Sequence, residues 1–314
     1  MRKKIQVLTL GMGQFYNDFG TWIRGKFPFR VQKISIDAGF SCPNRDGRIG
    51  TGGCIYCDNR TFNPSYCNPS HTIREQLEEG KRFFARKYPD MKYLAYFQAY
   101  TNTYSPLPQL QALYKEALSV DDVVGLVIGT RPDCVSNELL DHLSNLSRKC
   151  FVLVEYGVES ANDTTLRLIN RGHTFAQARD TILRTHERGI LCGAHIILGL
   201  PEEDAEESLR QAPLISALPI DILKIHQLQI VHGTKLAKLY NKHPFHVYTI
   251  EEYIQLVANY IQRLRKDLVL ERFVSQSPAL MLLAPNWGIK NHEFTARLLA
   301  YLRTHDIHQG QLIE

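Results

Sequence analysis

Six nearly continuous apolar runs punctuate the chain: Val31–Asp37, Tyr93–Tyr100, Val123–Thr130, Phe151–Gly157, Ile190–Gly199 and Asp221–Ile230. None shows the alternation of a half-wet strand, so each predicts a strand buried on both faces. Amphipathic stretches separate them and predict helices: Thr72–Tyr88, Pro108–Ser119, Ser136–Lys149, Thr174–Arg188 and Asp204–Leu218. Ser136 and Asp204 stand where N-caps are expected, and Gly189 where a helix stops. After the second run, strand starts recur about thirty residues apart, the length of one βα unit. Six such units predict an α/β fold, a partial (β/α)6 barrel of TIM-like type, with a doubly wound open sheet as the alternative. In both, ligands bind at the C-terminal ends of the strands.

After about Gly233 the rhythm changes. A helix is expected over Ile250–Lys266, a strand over Leu268–Val274, a turn at Ser275–Pro278, a short apolar run at Leu280–Ala284 and a last helix over Asn291–Thr304. This divides the chain into a core barrel, residues 15–232, and a small α+β extension, residues 233–314, that packs on it.

Composition narrows the class only slightly. The 314 residues are 44% hydrophobic and 22% charged, as in ordinary globular chains. No run approaches the roughly eighteen apolar residues of a membrane span. The short apolar stretch Ile5–Met12 is followed by Gln14, Asn17 and Asp18 without a cleavage signature, so a signal peptide is not expected and the location is taken as cytoplasmic. A net charge of +5 is compatible with a nucleic-acid partner without requiring one. Seven cysteines, an odd number in a long chain, point to metal binding or burial rather than a disulfide framework.

Three of them lie in one loop. Cys42 is followed by eleven residues and then by Cys54-Ile-Tyr-Cys57, with glycines at 47, 50, 52 and 53. The paired cysteines can present two thiolates to one centre, and the glycines allow a tight wrap. Three thiolates on a four-iron cluster leave one iron open to a small molecule; structural zinc, with Cys67 or His71 as fourth ligand, is the competing reading. The loop follows the first predicted strand, at the end where this architecture places its chemistry.

This loop resembles the cluster loop of the radical SAM superfamily, with Tyr56 as the aromatic before the third cysteine. Its wide first spacing is similar to the elongator-like branch. Asp37–Gly47, Ala95–Thr103, Gly129–Cys134, Ile169–His173, Gly199–Pro201 and Lys224–His226 are similar to the YtqA/YhcC-type family within it. The resemblance implies a [4Fe-4S] cluster on Cys42, Cys54 and Cys57, and S-adenosylmethionine (SAM) bound to it and cleaved to a 5′-deoxyadenosyl radical. It assigns cofactor contacts to Tyr56, to Ala99, Tyr100 and Thr101 (where the family's Gly-rich segment is absent), and to Thr130. Glu159 falls where a ribose ligand is expected, Arg171 where a residue pairs with the SAM carboxylate, and His195 and Ile197 beside the adenosine.

Other readings stand beside these. Arg131 and Asp133 can pair with each other at the rim. Glu155 can be the structural partner of a nearby cation, and His195 can be a hydrogen-bonded core residue. Lys224 and His226 share one face of the last strand and are the candidates for substrate contact or proton transfer. The resemblance also implies a tRNA substrate, modified at a wobble uridine, and an electron donor such as flavodoxin or ferredoxin. Arg24–Arg30, Arg263, Arg265 and Lys266 are candidate phosphate contacts. A small-molecule radical enzyme similar to coproporphyrinogen oxidases, and a non-enzymatic zinc scaffold, remain as alternatives.

Overall fold

The computed structural model describes residues 15–61, 63–85 and 90–313. Seven parallel strands form one sheet in the order β1 (Val31–Ile36), β2 (Lys92–Phe97), β3 (Val123–Thr130), β4 (Phe151–Glu159), β5 (Leu191–Leu198), β6 (Ile222–Gln227) and β8 (Val269–Arg272). Strands β2 to β6 are buried along most of their length, as their unbroken apolar runs require. Helices α2 (Ile73–Ala85), α3 (Leu107–Leu118), α4 (Asn137–Ser147), α6 (Phe175–Glu187) and α7 (Ala205–Ser216) connect them. Ser136 caps α4 by accepting from Leu139 N, Asp204 caps α7 by accepting from Glu207 N, and Gly189 follows α6 at φ +69°. The expected TIM-like half-barrel is therefore present, with a seventh strand supplied by residues after 233.

Several expected bounds shift. The second run stops at Phe97 because Tyr100 takes a left-handed backbone at φ +59°. The sixth stops at Gln227, and β7 (Ile230–Val231) then pairs antiparallel with β9 (Leu282–Ala284). The helix over 250–266 closes at Ile261 as α9 (Ile250–Ile261). Residues 86–88 of the first expected helix lie outside the described residues. Three helices were not expected: α1 (Phe19–Lys26), α5 (Asp163–Leu168) and α8 (Lys235–Lys242). The last helix, α10 (Asn291–Thr304), buries Phe294, Leu298 and Leu302 at i, i+4 spacing, and Phe294 packs between Trp287 and Tyr253.

Period-two alternation sorts the barrel interior into levels. Toward the N-terminal end of the strands Leu94, Val127, Leu153, Ile222 and Val269 form an apolar floor, plugged by Phe19 and Trp22 of α1 and by Phe27, with Tyr96 standing on it and reaching the level above. One level up the residues are charged. Glu155 of β4 meets Lys33 of β1 at 3.0 Å and Lys224 of β6 at 2.6 Å. Lys33 also reaches Glu271 of β8 at 2.7 Å, so an ion pair spans the two open edges of the sheet. Above this level the strand ends open into a cavity.

Candidate active site

The loop after β1 carries Cys42, Cys54 and Cys57. Cys42 O accepts from Arg45 N and Asp46 N at 2.8 and 3.2 Å, and Cys54 O accepts from Cys57 N at 3.1 Å. Gly52 and Gly53 sit at φ +79° and +75°, where a Cβ is strained, and a Cβ on Gly53 would lie 2.9 Å from Arg45 Nε. Backbone bonds fasten the loop to the barrel: Ile55 N donates to Ile169 O at 3.0 Å, and Leu236 N to Ile55 O at 2.9 Å. Asn170 Nδ2 donates to Gly53 O at 2.8 Å. Two of the three unforeseen helices, α5 with the residues that follow it and α8, thus serve as posts for this loop.

All three cysteines line one cavity of about 280 Å³ at the C-terminal ends of the strands. Tyr56, Tyr100, Thr101, Thr130, Glu159, Arg171, His195, Ile197 and His226 line it too. Ala99 is fully buried and its side chain is off the cavity wall. Lys224 also lies off the wall, in the charged level beneath it. Cys67 and His71 stand outside the cavity. Among the described residues no three His, Cys, Asp or Glu side chains close around a single point. Three thiols on one cavity wall are a donor set that fits a cluster with one iron left open. Burial pushes the Cys57 thiol up to about 11, helped by Cys54, so metal loading there must displace that proton.

Arg171 ties the loop to the strand ends. Its Nη1 donates to Cys54 Sγ at 3.6 Å and its Nη2 to Gly157 O at 2.6 Å, with Glu159 Oε1 at 3.4 Å. Burial opposes its charge, but Glu159, Tyr56 and Cys54 outweigh that and hold it protonated. Its buried Nε has no hydrogen-bond partner among the described residues. Gly157 makes the room: a Cβ there would stand 2.5 Å from Arg171 Nη2 and from Glu159 Oε1. Glu159 itself is held at φ +68°, a conformation that costs a non-glycine residue about 1–2 kcal/mol. Arg131 is bidentate on Asp133 at 2.9 and 2.8 Å, the rim pairing considered above. Thr130 Oγ1 is 2.6 Å from Thr103 Oγ1.

Below, Glu155 binds Lys33, Lys224 and, at 3.1 Å, His195 Nε2. Burial alone would raise its pKa, but the two lysines and His195 hold it well below the usual range. Burial brings Lys224 down to about 8. It also keeps His195 and His226 neutral, with Lys224 adding to the effect on the first and His195 to that on the second. The sequence reading found Glu155 and Lys224 but missed Lys33, Glu271, Arg272 and Tyr96 around them. The period-two rule, continued through Val31, Lys33 and Ser35, would have found Lys33.

The far wall of the cavity is Ser275–Ser277. His226 Nδ1 pairs with Ser275 Oγ, Ser275 N donates to Gln227 Oε1 at 2.7 Å, and Gln227 Nε2 and Gln229 Nε2 donate to Ser275 O at 2.8 and 3.2 Å. The buried His226 Nε2 has no partner among the described residues. The suggested basic contacts lie elsewhere. Arg265 is spent on Ser216 O, Leu218 O and Ile220 O, and Arg263 on Asn259 O, since helix and strand ends leave carbonyls that a guanidinium satisfies.

A parallel half-barrel with three loop cysteines facing a strand-end cavity is the arrangement that the resemblance to SAM-cleaving [4Fe-4S] enzymes led us to expect. The profile described as "Radical SAM superfamily" matches residues 45–212, and that of the "Radical_SAM C-terminal domain" matches residues 220–304. The chain belongs to the radical SAM superfamily. Within it, the chain falls in the elongator-like branch with the YtqA/YhcC-type proteins: it is 34% identical over 298 residues to protein YhcC of Escherichia coli strain K12, covering 95% of each chain. It is 25% identical over 190 residues to the tRNA uridine(34) acetyltransferase of Methanocaldococcus jannaschii, covering 59% of this chain and 34% of that one. The solved structure of archaeal Methanocaldococcus infernus Elp3 shares the fold, with a TM-score of 0.68 at 17% identity over 89% of this chain and 64% of that one.

Proposed function

We propose that Cys42, Cys54 and Cys57 hold the cluster and that the cavity above Glu155 is where a tRNA wobble uridine is modified. The observation that carries this is the convergence of the three thiols, Arg171 and Glu159 on one cavity at the strand ends. When bound, cluster and SAM supply a 5′-deoxyadenosyl radical through reductive cleavage, with the electron coming from a flavodoxin or ferredoxin. The chain's own residues position and protect. Arg171 presents a fixed guanidinium to the SAM carboxylate. Glu159 accepts from ribose hydroxyls, and the backbone of Ala99–Thr101 and the Thr130 hydroxyl complete the cradle. Tyr56 and Ile197 exclude water from the reacting centre. His226, neutral and with Nε2 free, is the group that moves a proton at the substrate. Lys224, beneath the cavity wall, holds Glu155, and through it His195, in place.

The wobble-uridine assignment draws on the likeness to the tRNA uridine(34) acetyltransferase. It is supported by Arg45 and Tyr100 on the cavity wall, where the guanidinium lies 5.8 Å from the ring, and by a second such pair in the same loops, Arg48 over Tyr104 at 5.5 Å. Arginine and aromatic faces of this kind receive unstacked bases and their phosphates. No helix among the described residues is long and apolar enough to cross a membrane, and oxygen-sensitive chemistry with free thiols suits the reducing cytosol. The test has two arms. Replacing all three cysteines with Ala, followed by iron and sulfide reconstitution, is expected to abolish 5′-deoxyadenosine formation under dithionite; undiminished formation refutes the cluster assignment. Mass spectrometry of tRNA nucleosides from cells with and without the gene is expected to show an altered wobble uridine; identical profiles refute the substrate.

A further inference from the structure

We infer that Arg272 is the substrate's anion anchor: a cavity-facing guanidinium reserved for a carboxylate or phosphate group. The inference rests on reading this cavity as the reaction chamber.

Four arginines line the cavity: Arg45, Arg131, Arg171 and Arg272. Three are committed. Arg45 donates to Cys57 O at 2.8 Å, Arg131 is bidentate on Asp133, and Arg171 bonds Gly157 O and Cys54 Sγ. The Arg272 side chain makes no hydrogen bond or ion pair among the described residues, and its charge acts only at longer range on Tyr96, Lys224 and His226. The carboxylates close to it are spent. Glu271 is 2.7 Å from Lys33 and 3.4 Å from Lys224, while Glu155 serves Lys33, Lys224 and His195. Lys33 and Lys224 thus balance Glu155 and Glu271, and Arg272 is a charge in excess.

The backbone puts it there by a local departure from regular pairing. Leu223 pairs with Leu270, but Lys224 pairs with Arg272, so the ladder between β6 and β8 skips Glu271. Such a bulge lets two consecutive side chains serve the same face, and bulges re-aim side chains beside active sites. Without it Glu271 and Arg272 would point to opposite faces of the sheet. A guanidinium on a cavity wall with no countercharge of its own is open to an anion that enters the cavity. Retaining one in a reaction chamber is explained when an anion arrives with the ligand.

That anion is distinct from the SAM carboxylate. Arg171 stands with Cys54 at the loop, whereas Arg272 stands across the barrel, where its charge acts on Tyr96 and His226. It also borders a second hollow of about 330 Å³ between β1 and β8, at the seam of the half-barrel. A planar guanidinium binds carboxylate and phosphate alike in a two-pronged fashion. In a nucleotide substrate the anion is either a backbone phosphate or an acidic group on the base.

The experiment compares wild type, Arg272→Gln and Arg272→Lys as reconstituted holoenzymes, with total tRNA from cells lacking the gene as substrate. Losing one charge-assisted pair predicts a KM for tRNA raised about tenfold to a hundredfold in Arg272→Gln, partly recovered in Arg272→Lys. This rise should far exceed any fall in tRNA-free 5′-deoxyadenosine formation. A KM unchanged in Arg272→Gln overturns the proposal while leaving the enzyme reading intact; wild type that forms no 5′-deoxyadenosine defeats the enzyme reading itself. The second readout needs no turnover. Acetate and inorganic phosphate, each against chloride at matched ionic strength, should raise the melting temperature of wild type more than that of Arg272→Gln. A larger acetate effect assigns a carboxylate, a larger phosphate effect a phosphate, and equal responses in the two proteins overturn the anchor.

Discussion

Glu155→Gln tests whether the charged level holds the barrel together. The substitution keeps the side chain's shape and removes its charge. Glu155 Oε1 is 3.0 Å from Lys33 Nζ, and Oε2 is 2.6 Å from Lys224 Nζ and 3.1 Å from His195 Nε2. In the wild type two interior carboxylates face Lys33, Lys224 and Arg272; in the variant Glu271 alone faces all three. Removing one partner of a buried pair costs about 3–5 kcal/mol, chiefly because the charge left behind is uncompensated. The melting temperature should then fall on the order of 10 °C. Adding Lys224→Met takes away one of the stranded cations. The double variant should therefore be more stable than the summed single losses predict, by about 1–3 kcal/mol. Urea unfolding of the four proteins under one buffer measures the cycle. A Glu155→Gln protein within about 1 kcal/mol of wild type, or a double variant that is merely additive, would refute the account.

Other expectations can be checked alongside. Glu155 and Glu271 both have folded pKa values held below those of free carboxylates, against burial, by Lys224 and Lys33. Their stabilisation is present above the unfolded value of about 4.3 and is lost as pH falls through the lower folded values. Melting temperature should therefore drop on acidification below that point, with a shallower slope in Glu155→Gln; parallel slopes would contradict it. Gly157→Ala places a Cβ 2.5 Å from Arg171 Nη2 and should weaken SAM binding about tenfold in calorimetry, with circular dichroism unchanged. Phe294→Ala empties the space between Trp287 and Tyr253 and should cost about 3–5 kcal/mol by chemical unfolding. A loss under 1 kcal/mol would mean that the last helix is not part of the core.

The parallel sheet was legible because its strands are wet on neither face, so a local apolar run suffices to find each one. The three cysteines were legible because their spacing is short and chemically specific. What the pattern hid was non-local. Lys33 and Glu271 are 238 positions apart, and nothing near either residue signals the other. Arg24–Arg30 read as a basic surface and the helix that leads into it, Phe19–Lys26, went unseen, yet its Phe19 and Trp22 plug the barrel. Asp163–Leu168, at six residues, is too short to show a period. Arg265 looked free for phosphate because backbone carbonyls, its actual partners, carry no sequence signal. Lys224 was found by its face but misjudged in depth, since alternation tells which side of a strand a residue takes and not how far from the mouth it lies.

The Ser275–Ser277 wall has an evolutionary consequence. It is fastened to the sheet by side chains of His226, Gln227 and Gln229 rather than by a strand ladder, which ends at Arg272. Its sequence can therefore change at the cost of a few hydrogen bonds while the cysteine loop and the strands keep theirs. Exchanging this stretch, with its three fasteners, for that of a relative is a cassette swap. It would move target choice between chains without rebuilding the chamber, and divergence in this lineage should concentrate there.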